Sequence, residues 1–191
     1  MANPPSIVIV YHSGFGHTKT IAEEVLAGAS SVAGVSVKLC ATSEFGSPGS
    51  DRKLPESWGT LQAADCIIFG SPTYMGSVSA EFKRFMDASG GIWFGQGWKD
   101  KLAAGFTNSG GTSGDKLNTL VTMSLFAAQH SMIWISQGLM SDAKVNRLGS
   151  YLGAMAQSGN GPAPDSVNAD DRASAKLFGE RVAKAVQKLV K

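Results

Sequence analysis

Short β-branched runs alternate along this chain with longer stretches whose apolar residues recur every three or four positions. Ile7, Val8, Ile9, Val10 and Tyr11 form one continuous apolar run, as a parallel strand buried on both faces does. Over residues 18–33, Ile21, Val25, Ala29 and Val32 keep helical spacing while Glu23 and Glu24 fall on the other side. Gly34 predicts the end of that helix, and 35–39 reads as a second strand. A third strand is expected over 65–70, closing in glycine, and then a helix over 79–88 with Phe82, Phe85 and Met86 on its buried side. Residues 102–107 predict a fourth strand, 116–129 a helix, and 132–135 a fifth strand. The last helix is expected over 169–190, where Asn168, Asp170 and Asp171 suit the positive end of a helix dipole.

Five strands alternating with helices predict an α/β fold: a doubly wound, five-stranded parallel sheet with helices on both faces. Right-handed crossovers then deliver the loops after successive strands to one edge of the sheet, where ligands bind. Two stretches break the alternation, 44–57 and 137–165, both rich in Gly, Ser, Pro or Asp. They are expected to be surface excursions, the second with a functional or oligomer-forming role.

Composition changes this picture only at its margins. A chain of 191 residues is the length of one domain, so 1–191 is read as a single unit. A net charge of +2 without a dense Lys/Arg cluster argues against a nucleic-acid partner. Cys40 and Cys66 have no His or Cys at metal-ligand spacing and read as two reduced core thiols, with no metal site. The apolar run near the start is too short for a signal peptide, and no stretch approaches the ~20 apolar residues of a membrane span. No membrane insertion and a cytoplasmic setting are therefore expected.

The chemistry is concentrated in three loops. After the first strand come Ser13, Gly14, Phe15, Gly16, His17 and Thr18, leading straight into a helix. Two glycines, two hydroxyls and a helix N-terminus make a cradle for a phosphate, although a turn with ordinary capping has the same composition. No Gly-Lys-Ser/Thr follows, so it is not a P-loop, and the third glycine of the dinucleotide fingerprint is missing. The third strand ends in Gly70, Ser71, Pro72, Thr73, Tyr74, Met75 and Gly76, where Pro72 is expected to fix a loop and Tyr74 and Met75 to offer surface to an aromatic ligand or to cap the core. The fourth ends in Thr107, Asn108, Ser109, Gly110, Gly111, Thr112, Ser113 and Gly114, a loop of exposed donors or a flexible linker. Three strands sending Gly- and hydroxyl-rich loops to one edge is a coincidence that favours a ligand site.

The first of these loops resembles the phosphate loop of flavodoxins. The chain as a whole is similar to the WrbA-type NAD(P)H:quinone oxidoreductases of the flavodoxin-like superfamily. The matching segments are Ser13 to Thr18, the Phe69-Gly70-Ser71-Pro72-Thr73 run with Gly76, the 85–93 stretch ending Gly90-Gly91-Ile92-Trp93, the 106–114 loop, His130, and Gly149-Ser150-Tyr151-Leu152-Gly153-Ala154. The resemblance implies strand order 2-1-3-4-5 and FMN as cofactor. The phosphate would sit on Ser13 to Thr18, and the ring against Pro72, Thr73, Tyr74, Met75 and Gly76. Residues 108–113 would bond the polar edge of the ring, with His130 near that edge. The resemblance also puts Phe15 beside the nicotinamide and Trp93 in the substrate pocket, reached from its own or a neighbouring subunit. Tyr74 departs from the family, which usually carries a basic residue there.

The activity so implied is a ping-pong cycle in which NAD(P)H reduces the flavin and a quinone takes both electrons, with His130 as the catalytic proton donor or as an imidazolium beside the ring. A homodimer or homotetramer is expected on the same ground. Two other readings stand beside it: a flavodoxin-type electron carrier with protein partners, and a flavin-binding scaffold with weak catalysis. Carriers of that kind are typically strongly acidic for docking, which this chain is not.

Overall fold

In the computed structural model, which describes residues 4–51 and 53–190, the expected alternation is realised as a parallel sheet between two helical layers. The strands are β1 (Ser6–Tyr11), β2 (Ser36–Ala41), β3 (Cys66–Tyr74), the short β4 (Ser77–Val78), β5 (Leu102–Ser109), β6 (Ile133–Trp134) and β7 (Ala154–Gln157). The helices are α1 (His17–Ser30), α2 (Gly59–Ala63), α3 (Ala80–Ala88), α4 (Gly90–Phe94), α5 (Lys116–Gln129) and α6 (Ala169–Leu189). The sheet order is β2-β1-β3-β5-β6, with β4 folded back antiparallel on β3. With that hairpin strand set aside, this is the expected 2-1-3-4-5 order.

The period-two logic of a strand divides the core in two. Ile7, Ile9 and Tyr11 of β1 join Ile68, Ala104 and Phe106 under α1 and α6. Val8 and Val10 join Ile67, Phe69 and Ala103 on the opposite face, with Trp58, Phe82, Phe85, Trp98 and Phe126. The Trp58 and Phe85 rings stack there with centroids 5.0 Å apart. On the first face, α1 and α6 approach so closely that a Cβ on Gly28 would run into the Lys176 carbonyl and one on Gly179 into the Val25 carbonyl. Only glycine fits at that crossing. Arg172 Nη2 donates to Glu24 Oε1 at 2.7 Å and ties the same two helices together.

Two expectations need correction. The third strand does not close at Gly70: Ser71 pairs with Thr107 and Pro72 with Asn108, so Pro72 lies within the strand instead of fixing a loop. Beyond Gly70 the strand has lost β1 as a neighbour, an edge-like position that tolerates a residue without an N–H. The fifth strand is spliced from two pieces of chain. β6 pairs only with Leu102 and Ala103, whereas β7 pairs with Phe106 to Ser109. Part of the 137–165 stretch is therefore sheet. Its small alternating residues, Ala154 and Ala156, carry too weak a strand signal to stand out in the sequence.

Candidate functional site

At the carboxyl edge of the sheet, four loops surround a cavity of about 490 Å³. Ser13, Gly14, Phe15, His17 and Thr18 come from the loop after β1, Pro72, Thr73 and Tyr74 from the end of β3, and Asn108, Ser109 and Gly110 from the end of β5. The fourth wall, Ser158, Gly159, Asn160, Gly161 and Pro162, follows β7. Sequence reasoning folded it into the excursion, although its alternation of Gly with hydroxyl and amide residues is the composition that marked the other loops.

The first loop ends at the N-terminus of α1. Gly16 takes φ 90° at the cap position, and no side chain caps the helix. A fourteen-residue helix thus points uncapped N–H groups and the positive end of its dipole at the loop. Ser13 Oγ is buried in the described structure with no hydrogen-bond partner. A buried hydroxyl without a partner, next to an uncapped helix start, is the setting that an oxyanion completes. His17 lines the cavity, but its Nε2 lies 3.0 Å from both the Gly161 carbonyl and Ser166 Oγ, so it laces the first loop to the fourth.

The other walls are held from behind. Thr73 Oγ1 lies 2.8 Å from both Thr107 Oγ1 and Thr119 Oγ1, a buried hydroxyl chain that pins the end of β3 to β5 and α5. Asn108 Nδ2 donates to Ser158 Oγ at 3.0 Å, while its Oδ1 is buried without a partner among the described residues. Tyr74 folds over the first loop, its hydroxyl 2.6 Å from where a Cβ of Gly14 would stand. Burial, with Glu81 adding to it, raises the Tyr74 hydroxyl pKa. Phe15 stands 78% exposed at the rim, a free aromatic face.

Several expected residues lie elsewhere. Met75 and Gly76, with φ 48° and 78°, form the two-residue turn of the β3–β4 hairpin, and Met75 points fully into solvent. Asn118 Nδ2 donates to the Gly76 carbonyl at 2.8 Å and fixes that turn. Gly111, Thr112 and Ser113 lie beyond the cavity wall, and Thr112 and Ser113 border a neighbouring hollow instead.

His130 is corrected outright. It follows α5 and lies three residues before Ile133, which pairs with the first residue of β5, so it sits at the amino edge of the sheet, opposite the cavity. It is buried between Trp98 and Phe126, and its Nε2 lies within hydrogen-bond distance of Ser89 Oγ, at 2.9 Å. Burial holds its pKa down to about 4, so it is neutral at physiological pH. Trp93, on α4, is half-exposed at that same amino edge and does not line the cavity of its own chain.

In the sequence Lys116 is simply the first residue of the helix expected over 116–129, and nothing there marks it as functional. It is fully buried and its Nζ donates to Ser109 Oγ, the Gly111 carbonyl and the Thr112 carbonyl. Its place just after a run of glycines and hydroxyls at a strand end is the nearest thing to a signal.

The residues fit FMN: an uncapped helix start and an orphaned hydroxyl for a phosphate, an unpartnered amide oxygen for a ring N–H, and aromatic walls in Phe15 and Tyr74. No group of three or more potential metal ligands occurs among the described residues, and no helix there is long and apolar enough to cross a membrane.

Known proteins point the same way. The family model described as NADPH-dependent FMN reductase matches residues 13–146. The chain is 40% identical over 190 residues to "Flavodoxin FldP" of Pseudomonas aeruginosa (strain UCBPP-PA14), covering 95% of this chain and 97% of that protein. It is 35% identical over 144 residues to "Quinone-oxidoreductase QR2" of Triphysaria versicolor, covering 69% of each. The crystal structure of a flavodoxin, WrbA-like protein from Agrobacterium tumefaciens superposes with a TM-score of 0.75 at 40% identity, covering 96% of this chain and 98% of that one.

Proposed function

This chain belongs to the NADPH-dependent FMN reductase family, in its flavodoxin-like, WrbA-type branch, and from that premise we propose that it moves two electrons from NAD(P)H to a quinone or similar small acceptor in a ping-pong cycle. The observation that carries the proposal is the cavity itself: loops from three adjacent strands and a fourth after β7 converge on an uncapped helix start. FMN, when bound, would supply the redox chemistry of hydride and electron transfer.

The chain supplies position and electrostatics. Ser13, Thr18 and the first N–H groups of α1 hold the phosphate, with no Lys or Arg in the wall. Pro72, Thr73 and Tyr74 flank the ring on one side, and Asn108, Ser109 and Gly110 meet its polar edge. Phe15, free at the rim, is placed to stack on a nicotinamide and then on the quinone that replaces it. One site serving both in turn is the structural meaning of ping-pong. Trp93 reaches a cavity only from a neighbouring copy, so a homodimer or homotetramer is part of the same proposal. His130 is given no role in proton transfer.

Absorbance of the FMN-loaded protein under anaerobic conditions tests the cycle. Addition of NADPH or NADH is expected to bleach the long-wavelength flavin band promptly, and a quinone to restore it. A band that neither nucleotide bleaches defeats the proposal. A second reading, an electron carrier serving protein partners, draws on the flavodoxin name of the 40%-identical relative. It predicts bleaching by a partner reductase and none by free NAD(P)H.

A further inference from the structure

Behind the loop that follows β5, outside the cavity wall, lies a buried charged cluster that the proposed cycle does not yet use. Lys116, the first residue of α5, donates from Nζ to Ser109 Oγ at 2.9 Å, to the Gly111 carbonyl at 2.6 Å and to the Thr112 carbonyl at 3.0 Å. All three ammonium hydrogens are thereby engaged, and all three acceptors are neutral. Close by, Arg147 Nη2 donates to Oδ2 of the buried Asp171 at 2.8 Å. Gln157 joins the two halves: its backbone N–H donates to Asp171 Oδ2 at 2.8 Å and its Nε2 to the Gly110 carbonyl at 3.1 Å. With the ion pair formed and Lys116 protonated, the cluster holds two cations against one carboxylate.

The fold alone does not call for that surplus charge. A cation in the first turn of α5 meets the positive end of the helix dipole, the unfavourable end. Burial lowers the pKa of Lys116 to about 8, with Asp171 on α6 opposing the shift and Arg147, from the segment between β6 and β7, adding to it. Asp115 precedes it in the chain with left-handed backbone and no side-chain cap on the helix. A neutral residue there would avoid the cost of burying an ammonium. What the charge does have is a position: Ser109 and Gly110, which it and Gln157 hold, are cavity wall. Because C=O and N–H point opposite ways in a planar trans peptide, drawing the Gly111 and Thr112 carbonyls toward Nζ turns the Thr112 and Ser113 N–H groups away from it.

We infer that Lys116 is a positioning residue for the flavin, curling the 109–112 loop and setting a surplus positive charge behind the wall where negative charge accumulates on reduction. The inference rests on the FMN reading above. A hydride from the nicotinamide carries two electrons and one proton, so one negative charge is left in the cavity, and the surplus cation balances it.

The test uses the full chain loaded with FMN, comparing wild type with Lys116→Met and Lys116→Arg. Flavin fluorescence reads affinity, and reference dyes read the two-electron midpoint potential. Lys116→Met is expected to weaken reduced FMN about tenfold more than oxidised FMN, lowering the midpoint by about 30 mV. Lys116→Arg should return at least half of that shift. An unmoved potential, or equal weakening in both oxidation states, makes Lys116 a loop brace alone and overturns the inference. Should Lys116→Met fail to fold, wild type answers the question. Linkage requires that FMN reduction raise the proton affinity of Lys116 by the same factor, seen as an upward move of its ammonium titration in nitrogen-labelled lysine spectra. A titration that does not move overturns the inference. Wild-type protein that retains no FMN defeats the FMN reading and this inference together, whereas retained FMN with an unmoved potential defeats this inference alone.

Discussion

The two edges of the sheet both bury polar atoms without partners, and they differ in what surrounds them. At the carboxyl edge, Ser13 Oγ and Asn108 Oδ1 belong to residues that wall a cavity of about 490 Å³. At the amino edge, His130 Nδ1 and Trp98 Nε1 are equally unpartnered, but their rings pack 4.4 Å apart, centroid to centroid, with Phe126 against the imidazole at 4.9 Å. An orphaned polar atom signals a ligand where there is room for one. Packed into an aromatic core, it is a cost carried by the fold.

Substitutions at the two edges separate these cases. The largest expected effect is at the cavity. Ser13→Asp sets a carboxylate against the phosphate, and two like charges about 4 Å apart repel by about 4 kcal/mol at an effective dielectric near 20. FMN affinity should fall roughly a thousandfold by titration calorimetry, with the apoprotein still folded. His130→Gln should leave FMN affinity within a few-fold, and a large loss would break the comparison.

The amino edge should instead respond to acid. His130 is held at about 4 in the folded chain against 6.5 when unfolded, so between those values the unfolded state binds the extra proton. The stability owed to the neutral imidazole is complete above pH 6.5 and is lost as the pH falls toward 4, a total of about 3 kcal/mol. Urea midpoints measured across that window should decline in wild type and decline less in His130→Gln. Identical slopes would show that His130 is not the group responsible.

A smaller effect is expected behind the wall. Thr73→Val leaves the Thr107 and Thr119 hydroxyls without their shared partner and should cost about 2 kcal/mol in thermal denaturation. The smallest is a gain: Met75 holds φ 48° in the hairpin turn, and Met75→Asn should stabilise the chain by about 1 kcal/mol without changing FMN affinity. Weakened FMN binding there would return Met75 to the site.

What the chain disclosed by itself follows the same division. Ile7 to Tyr11 were legible because a continuous apolar run marks a strand buried on both faces, and the 18–33 helix because its apolar residues keep helical spacing. The glycine-rich turns after β1 and β5 were legible because such composition at a strand end has few other uses. Asn108, Ser109 and Gly110 were found that way. His130 and Trp93 were placed at the site by resemblance, with no strand end to carry them there, and in the single chain they lie at the far edge. Lys116 and the 158–162 wall escaped for a different reason. Their significance is three-dimensional: one depends on where its ammonium is buried, the other on a strand made of two alanines and their neighbours.

The spliced fifth strand has a consequence for motion. A continuous edge strand opens as one unit, but here the half that carries the cavity wall, Ala154–Gln157, is covalently remote from the half that starts the strand. The two can unzip from β5 separately, each as its own small cooperative unit. Amide hydrogens of β7 should therefore exchange through a low-energy opening that leaves β6 and the centre of the sheet protected. Such an opening would detach Ser158 from Asn108 and let a bound molecule leave through the gap without unfolding the domain. Ligand residence time would then depend on that four-residue splice more than on global stability.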